Sequence, residues 1–399
     1  MKIGIDAYVA RFPLTGIGNY TFSLAKHLEK YYPENKYCYF LKDDYIHDRS
    51  FSDYLRDKEK RFVLSSYFRN RFLRRVENKI KTKFFQGILS SESYFKLCFS
   101  RLEDELFRLT EDLDLYHGID WYFHVSPKVK RKILTVHDLT SVILPGFHDR
   151  MSVGKEIAKS KNLDAFDLFL SVSDSTKNDL IRYYGVAENK IKTVYQSCDP
   201  IFDDIQLLDK QAVLSKYSIP TDRPYFLSVS TIEPRKNFIK VLESYQNYKD
   251  RTGDSDSILV CTGLWGWKNK ELSDCINRHP YSDSIFFTGY LDLSDMPTLY
   301  HYASGFLYLS VYEGFGLPIL EAMKSKVPVI CSNTSSMPEV IGDCGWLVAP
   351  NDVNAVVDAM IELKENKESV SLKSEKAYER SKNFNWQRTA KETFESYQS

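Results

Sequence analysis

Ser310-Val311-Tyr312-Glu313-Gly314-Phe315-Gly316-Leu317-Pro318-Ile319-Leu320-Glu321-Ala322-Met323 follows directly on an apolar run, Gly305-Phe306-Leu307-Tyr308-Leu309. The run reads as a buried strand. Pro318 suits the first position of a helix, because it has no N–H to leave unbonded and its φ is already helical. Strand, glycine-bearing loop and helix start, in that order, make one unit of an open α/β sheet. Gly314 and Gly316 expose backbone N–H groups just ahead of the helix, a nest of donors for an oxygen-rich group. Glu313 stands before the nest and Glu321 in the first turn after it, so both carboxylates can face one bound molecule from different sides. A carboxylate beside a phosphate is repelled unless it engages something else, and sugar hydroxyls are partners that fit.

The same unit recurs along the chain in two series. The first has apolar runs at 2–8, 37–41, 115–117, 132–136, 168–172 and 191–194; the second has them at 225–229, 258–261, 285–288, 305–309, 327–331 and 345–348. Helical patterns separate the runs, which predicts two parallel sheets. Residues 197–222, with Pro200, Pro220 and several aspartates, read as a linker and entry helix. The length of 399 residues agrees, since one core rarely covers so much chain. Open sheets of this kind bind at the carboxyl ends of their strands, so the functional residues are sought in strand-to-helix loops, with a cleft between the two sheets.

Composition excludes several classes of function. Hydrophobic residues make up 43% and charged residues 27%, and Lys plus Arg equals Asp plus Glu at 54 each, so no global charge argues for nucleic acid. The seven cysteines form no Cys-x-x-Cys pair and are expected to be reduced core residues. No apolar run approaches a transmembrane span and the opening residues read as a strand, so a cytoplasmic location is expected, either in solution or peripheral on the inner membrane face. Asp112-Leu113-Asp114 and Asp254-Ser255-Asp256 lack the strand-end context of a metal site and read as an approach to a strand and a solvated loop. His117 and His124 lack metal-ligand spacing and read as wall or core residues.

Two further loops carry signals. Thr15-Gly16-Ile17-Gly18-Asn19-Tyr20 precedes the helical pattern 21–32, and its glycines allow close approach to an anion. The dinucleotide fingerprint would want a third glycine where Thr21 stands, so a plain turn and a ligand loop are both open here. The other loop is Glu233-Pro234-Arg235-Lys236-Asn237. Two cations ahead of a helix oppose its macrodipole unless an anion binds between them, and a diphosphate suits their charge and geometry.

The pattern Glu-Gly-Phe-Gly-Leu-Pro-Ile-Leu-Glu-Ala-Met over 313–323 resembles the signature of retaining glycosyltransferases of the GT-B fold, family 4. The resemblance extends through Gly16-Ile17-Gly18-Asn19-Tyr20, Val136-His137-Asp138-Leu139, Ser171-Val172-Ser173-Asp174-Ser175-Thr176-Lys177, Glu233 to Asn237 and Pro338-Glu339-Val340, ending at Phe384-Asn385-Trp386. It implies an α/β protein of two Rossmann-like, doubly wound parallel-sheet domains facing a central cleft. Residues 1–200 would form the acceptor domain, with a basic aromatic insertion at about 45–110. Residues 201–382 would form the donor domain, and 383–399 a helix crossing back.

The resemblance also implies roles. Arg235 and Lys236 would neutralise the leaving diphosphate. Gly314, Phe315, Gly316 and Leu317 would bind sugar and phosphate through backbone N–H groups, while Glu313 accepts from a sugar hydroxyl and Glu321 from the ribose. His137 would lie beside the transferred sugar, and Gly16, Gly18 and Asn19 would approach the diphosphate and acceptor. No metal and no cofactor beyond the nucleotide-sugar co-substrate is expected. The Gly-Ile-Gly-Asn-Tyr and Glu-Pro-Arg-Lys-Asn forms resemble mannosyl-transferring relatives, so GDP-mannose is the first expectation, with UDP-linked glucose, galactose or N-acetylhexosamine as alternatives. The acceptor expected is a saccharide, lipid-linked, in O-antigen, capsule or exopolysaccharide synthesis. A nicotinamide-dependent oxidoreductase and a non-catalytic sugar-nucleotide scaffold are more distant readings. Two departures from the family pattern stand out: Ser230 replaces an arginine common after that strand, and Lys326 replaces a glycine before Val327-Pro328-Val329-Ile330.

Residues 60–84 hold nine basic residues against one acid, Glu77. Phe68, Phe72, Val76, Ile80 and Phe84 recur every four residues beside Arg69, Arg71, Arg74, Arg75, Lys79 and Lys83, so a helix here would be amphipathic and basic. Segment 60–85 could dock on an anionic membrane or pack on the sheet with a solvated basic face. Nothing in it forms a nucleic-acid-binding motif.

Overall fold

The computed structural model describes residues 1–7, 16–41, 44–46, 110–119, 128–148, four positions between 153 and 160, and 163–399. His124 and the basic segment 60–85 lie outside the described residues. The chain divides into two compact units, Met1–Gln196 with Trp386–Ser399, and Ser197–Asn385.

In the first unit β1 (Lys2–Asp6), β2 (Lys36–Leu41), β3 (Asp44–Ile46), β4 (Leu115–Gly118), β5 (Arg131–Val136), β6 (Leu168–Ser171) and β7 (Ile191–Thr193) form one sheet in the order β3-β2-β1-β4-β5-β6-β7. The pairings are parallel except β2 with β3. The sequence reading passes over β3, because three residues opening on a charge fall below the length of an apolar run. Helix Gly16–Tyr31 buries Tyr20, Leu24 and Leu28, and helix Trp386–Gln398 buries Trp386, Ala390, Phe394 and Tyr397; both sets are helical stripes. These side chains share one core with Ile3, Ile5, Leu115, Ile133 and Leu170, so the last residues of the chain complete the core begun by the first.

The second unit holds β8 (Tyr225–Val229), β9 (Ile258–Thr262), β10 (Ile285–Gly289), β11 (Gly305–Tyr308), β12 (Val329–Ser332) and β13 (Trp346–Val348), in the order β10-β9-β8-β11-β12-β13. Every pairing is parallel. β9, β11 and β12 are buried throughout, as expected of strands covered on both faces, which is why they read as unbroken apolar runs. Successive strands run outward from β8 through β9 to β10, and then from β11 through β12 to β13. The order therefore reverses between β8 and β11, and ligands of open α/β sheets bind at such a reversal. Among the described residues no helix is long and apolar enough to cross a membrane.

Asp254 departs from its expected place in a solvated loop. Its carboxylate is buried and accepts from the Tyr248 and Ser257 hydroxyls, the Asp256 and Ser257 amides and the Lys364 ammonium. Burial opposes its charge, but these donors outweigh the penalty and hold the carboxyl below the usual range. Asp114 accepts from the Lys2 amide at the entry to β1. His117 is a core residue, its Nδ1 2.7 Å from the Tyr397 hydroxyl and its Nε2 2.7 Å from Thr135 Oγ1. Burial, with a small effect of His137, brings its pKa down to about 3.

Candidate active site

The loops leaving β8 and β11 flank the reversal, and they carry Arg235, Lys236 and Glu313. After β8 the chain runs out beside the loop that follows β9: Ser230 N–H donates to Thr262 O, and Ile232 forms a parallel bridge with Trp265. That approach requires Gly263, which has φ of 142°; a Cβ there would lie 1.8 Å from the Ser230 carbonyl oxygen. The chain then makes one 3-10 turn, Pro234–Lys236, and Asn237 turns through the left-handed region (φ 58°) to start helix Phe238–Thr252. Asn tolerates that conformation better than other L-residues with a Cβ. Its Nδ2 is tied to the Pro350 carbonyl at 2.8 Å. Arg235 and Lys236 are thereby set on a rigid turn.

Across the reversal, Val311 N–H donates to the Arg235 carbonyl at 2.9 Å, joining the two loops through their backbones. Glu313 then takes both cations: Lys236 Nζ lies 2.6 Å from Oε1 and Arg235 Nη1 2.9 Å from Oε2. Arg235 also donates to the Tyr312 carbonyl at 2.6 Å and to Glu233 Oε1 at 2.7 Å, and Lys236 to the Tyr308 hydroxyl at 3.1 Å. The side chains of Arg235, Lys236 and Glu313 are 13%, 11% and 9% exposed, so the pairs are shielded from bulk water. Burial raises the Glu313 carboxyl, but the adjacent guanidinium and ammonium outweigh it and bring it down to about 2. Lys236 is lowered, chiefly by burial.

The glycine loop is held from a third side. Glu313 N–H donates to Ser335 Oγ at 2.9 Å. The Ser336 hydroxyl lies 2.9 Å from the Glu313 carbonyl and 2.8 Å from that of Phe315, sharing its one proton between them. Thr334 Oγ1 reaches the Val311 carbonyl at 3.0 Å. Gly316 adopts φ of 102° as the residue before helix Leu317–Lys324, with Pro318 at the helix start. The Phe315 ring is buried edge-on against Phe384, 5.7 Å between centroids. Further along the same helix, Glu321 is half-buried and accepts from the Tyr300 hydroxyl at 2.8 Å. Burial raises its carboxyl to about 7, tempered by that hydrogen bond and increased by Asp199.

The remaining sequence-predicted residues belong to the first unit. Gly16, Gly18 and Asn19 lie in the first turn of helix Gly16–Tyr31, a correction to the expected loop ahead of a helix at Thr21. Gly16 and Asn19 are exposed and Gly18 is buried. First-turn amides lack intrahelical acceptors, so the turn can still offer donors to an anion. His137 follows β5 half-buried, its ring edge-on to Tyr20 at 4.7 Å between centroids. Asp138 accepts from the Thr140 amide (2.9 Å) and hydroxyl (2.6 Å), just ahead of the short helix Thr140–Ile143.

The structure thus brings Arg235, Lys236, Glu313 and the Gly314–Leu317 backbone together within one unit, with Glu321 in the helix that follows. Six contributors escaped the sequence reading as site residues: Glu233, Tyr300, Tyr308, Thr334, Ser335 and Ser336. Ser335-Ser336 follow β12, the neighbour of β11, so a search of every strand-end loop near the reversal would have found them. Tyr300 and Tyr308 read simply as apolar residues of a helix and a strand. Among the described residues no three His, Cys, Asp or Glu side chains group as metal ligands.

Comparison with known proteins gives a consistent result. Residues 14–201 match the family profile described as Glycosyltransferase Family 4, and residues 209–382 that described as Glycosyl transferases group 1. The chain is 30% identical over 401 residues to O-antigen chain mannosyltransferase B of Escherichia coli, covering 100% of this chain and 99% of that protein. It is 25% identical over 253 residues to O-antigen chain mannosyltransferase RfbU of Salmonella typhimurium, covering 62% and 65% of the two chains. Among solved structures, Anabaena HepE in complex with UDP and glucose matches with a TM-score of 0.70 at 15% identity over 99% of both chains. WaaG, a glycosyltransferase involved in lipopolysaccharide biosynthesis, matches with a TM-score of 0.67 at 11% identity over 98% of both.

Proposed function

Since the chain belongs to glycosyltransferase family 4, with a group 1 glycosyl transferase region following, and has the GT-B fold, we propose that it moves mannose from GDP-mannose to a saccharide acceptor with retention of anomeric configuration. The observation that carries the reading is the joined pair of loops at the strand-order reversal, where two buried cations, a carboxylate and a glycine nest converge on a few ångströms of space. Mannose and the O-antigen context are supported by full-length similarity to an O-antigen mannosyltransferase.

Arg235 and Lys236 would stabilise the charge that builds on the diphosphate as the glycosidic bond breaks, a preorganised electrostatic contribution. The Gly314–Leu317 amides would bind phosphate and sugar oxygens. Glu313, with both oxygens held by cations and a pKa near 2, is too weak a base to take a proton at neutral pH, so its role is to accept from a sugar hydroxyl. The acceptor hydroxyl then attacks the anomeric carbon on the face from which the diphosphate departs, and the leaving phosphate oxygen receives its proton. His137 and the first turn at Gly16, Gly18 and Asn19 would serve the sugar and acceptor. No metal takes part in this scheme.

A panel of GDP-mannose, UDP-glucose, UDP-galactose, UDP-N-acetylglucosamine and NAD in excess chelator tests the donor by thermal shift. At a hundredfold excess over Kd a bound donor adds about 2.7 kcal/mol, and GDP-mannose is expected to give the largest rise. Stabilisation by NAD alone would overturn the transferase reading. The acceptor we assign is lipid-linked, with segment 60–85 drawing the enzyme to anionic membrane. Arg69, Arg71, Arg74 and Arg75 changed together to Glu should abolish partitioning into anionic vesicles; unchanged partitioning rejects the assignment.

A further inference from the structure

We propose that Tyr300 is a positioning residue for donor binding, its buried hydroxyl fixing the Glu321 carboxylate for the ribose hydroxyls of the nucleotide sugar. The inference rests on the donor reading above and extends it to a side chain no ligand can touch, since Tyr300 is 0% exposed.

Tyr300 belongs to helix Met296–His301 and its ring is wedged between Phe202 and Phe306, at centroid distances of 5.8 and 5.3 Å. The ring has no room to swing, so its hydroxyl is delivered to one place, 2.8 Å from Glu321 Oε2. Burial first, then the neighbouring carboxylate, pushes the phenol well above its usual range, so it stays protonated and donates. A donor aimed at a carboxylate favours the charged form, which alone offers both oxygens as acceptors to a pair of vicinal hydroxyls.

The other charged and titratable groups around Glu321 do not replace this contact. Asp199 acts against ionisation. Cys198 is buried and its thiol is pushed up by burial. Lys324, one turn further along the same helix, is committed to Asp203 by an ion pair. Tyr308 is engaged with Lys236 and Glu313. Tyr300 is thus the group that opposes the desolvation of Glu321, and removing its hydroxyl should leave the carboxyl protonated to higher pH.

Tyr300→Phe keeps the ring packing and removes only the hydroxyl. Affinity for GDP-mannose, whose diphosphate diester takes up no proton near neutrality, is measured by calorimetry from pH 5.5 to 9, with UDP-glucose in a parallel series. For the wild type, affinity should rise with pH to a plateau above Glu321's pKa. For Tyr300→Phe it should be about three- to tenfold weaker at pH 7.5, with the midpoint moved to higher pH and the kinetic loss falling on KM more than on kcat. In a Glu321→Ala background, where no acceptor remains for the Tyr300 hydroxyl, the midpoint should vanish and Tyr300→Phe should have no further effect on donor affinity. An unmoved midpoint, or an equal loss in the Glu321→Ala background, would overturn the inference while the donor reading stands. Failure of the wild type to bind either nucleotide sugar would remove the donor reading and this inference with it.

Discussion

Glu313 holds two cations that also belong to a predicted phosphate site, so its substitution has separable consequences. Glu313→Gln removes the ion-pair partner of Lys236 and leaves Arg235 with Glu233 alone, which should cost about 3–5 kcal/mol in denaturant unfolding without nucleotide. Transfer should slow by about a hundredfold or more. GDP should still bind, because the cations remain and a competing anion is gone, whereas the preference for GDP-mannose over GDP should disappear. Weaker GDP binding with unchanged sugar preference would contradict the assigned roles. The pH dependence follows in sign: Glu313 falls from its ordinary 4.5 to about 2 on folding. Its contribution to stability is therefore present above 4.5 and lost as pH falls through about 2. Substitution should flatten that part of the acid limb. Glu313 was legible in the sequence by its place before a glycine nest. Its pairing with Arg235 and Lys236 was not, because 77 and 78 residues separate the partners and only the strand order brings them together.

At the scale of elements, the glycine loop and helix Leu317–Lys324 act as one rigid piece, fixed by Ser335, Ser336 and Thr334. Gly316 is the position at which this piece is most exposed to test. Alanine there would meet Ile319 Cδ1 at 3.4 Å, a distance a side chain can yield to, but φ of 102° lies outside what an L-residue adopts comfortably. Gly316→Ala should lower stability by about 1–2 kcal/mol and raise the donor KM, since the loop amides would turn away from their aim. A wild-type KM with lowered melting temperature would mean the loop is structural only. Strand runs were readable because parallel strands buried on both faces leave continuous apolar sequence. Helix starts were less so: the first helix begins at Gly16 and not at Thr21, since the low helix propensity of Gly16 and Gly18 hides the entry. Lys326 takes φ of 59°, a conformation that favours glycine, and its ammonium bonds Glu375 on the surface.

For the whole molecule, two sheets and their strand-end loops could be anticipated from alternating runs, and the strand orders confirm doubly wound parallel sheets with one antiparallel edge strand. The alternation could not show that Trp386, Ala390, Phe394 and Tyr397 enter the core of the first unit, or that Tyr397 partners His117, because Tyr397 and His117 are 280 positions apart and the other contacts are comparably remote. Retaining mannosyl transfer from GDP-mannose is open to one direct measurement. The enzyme is incubated in chelator with GDP-mannose labelled with carbon-13 at C1 and with lipid-linked saccharide from cells that carry the gene. The one-bond C1–H1 coupling of the product is then read by NMR. An α-linked mannosyl product is expected, matching the α configuration of the donor; a β-linked product, or no labelled product, would contradict retaining transfer from GDP-mannose.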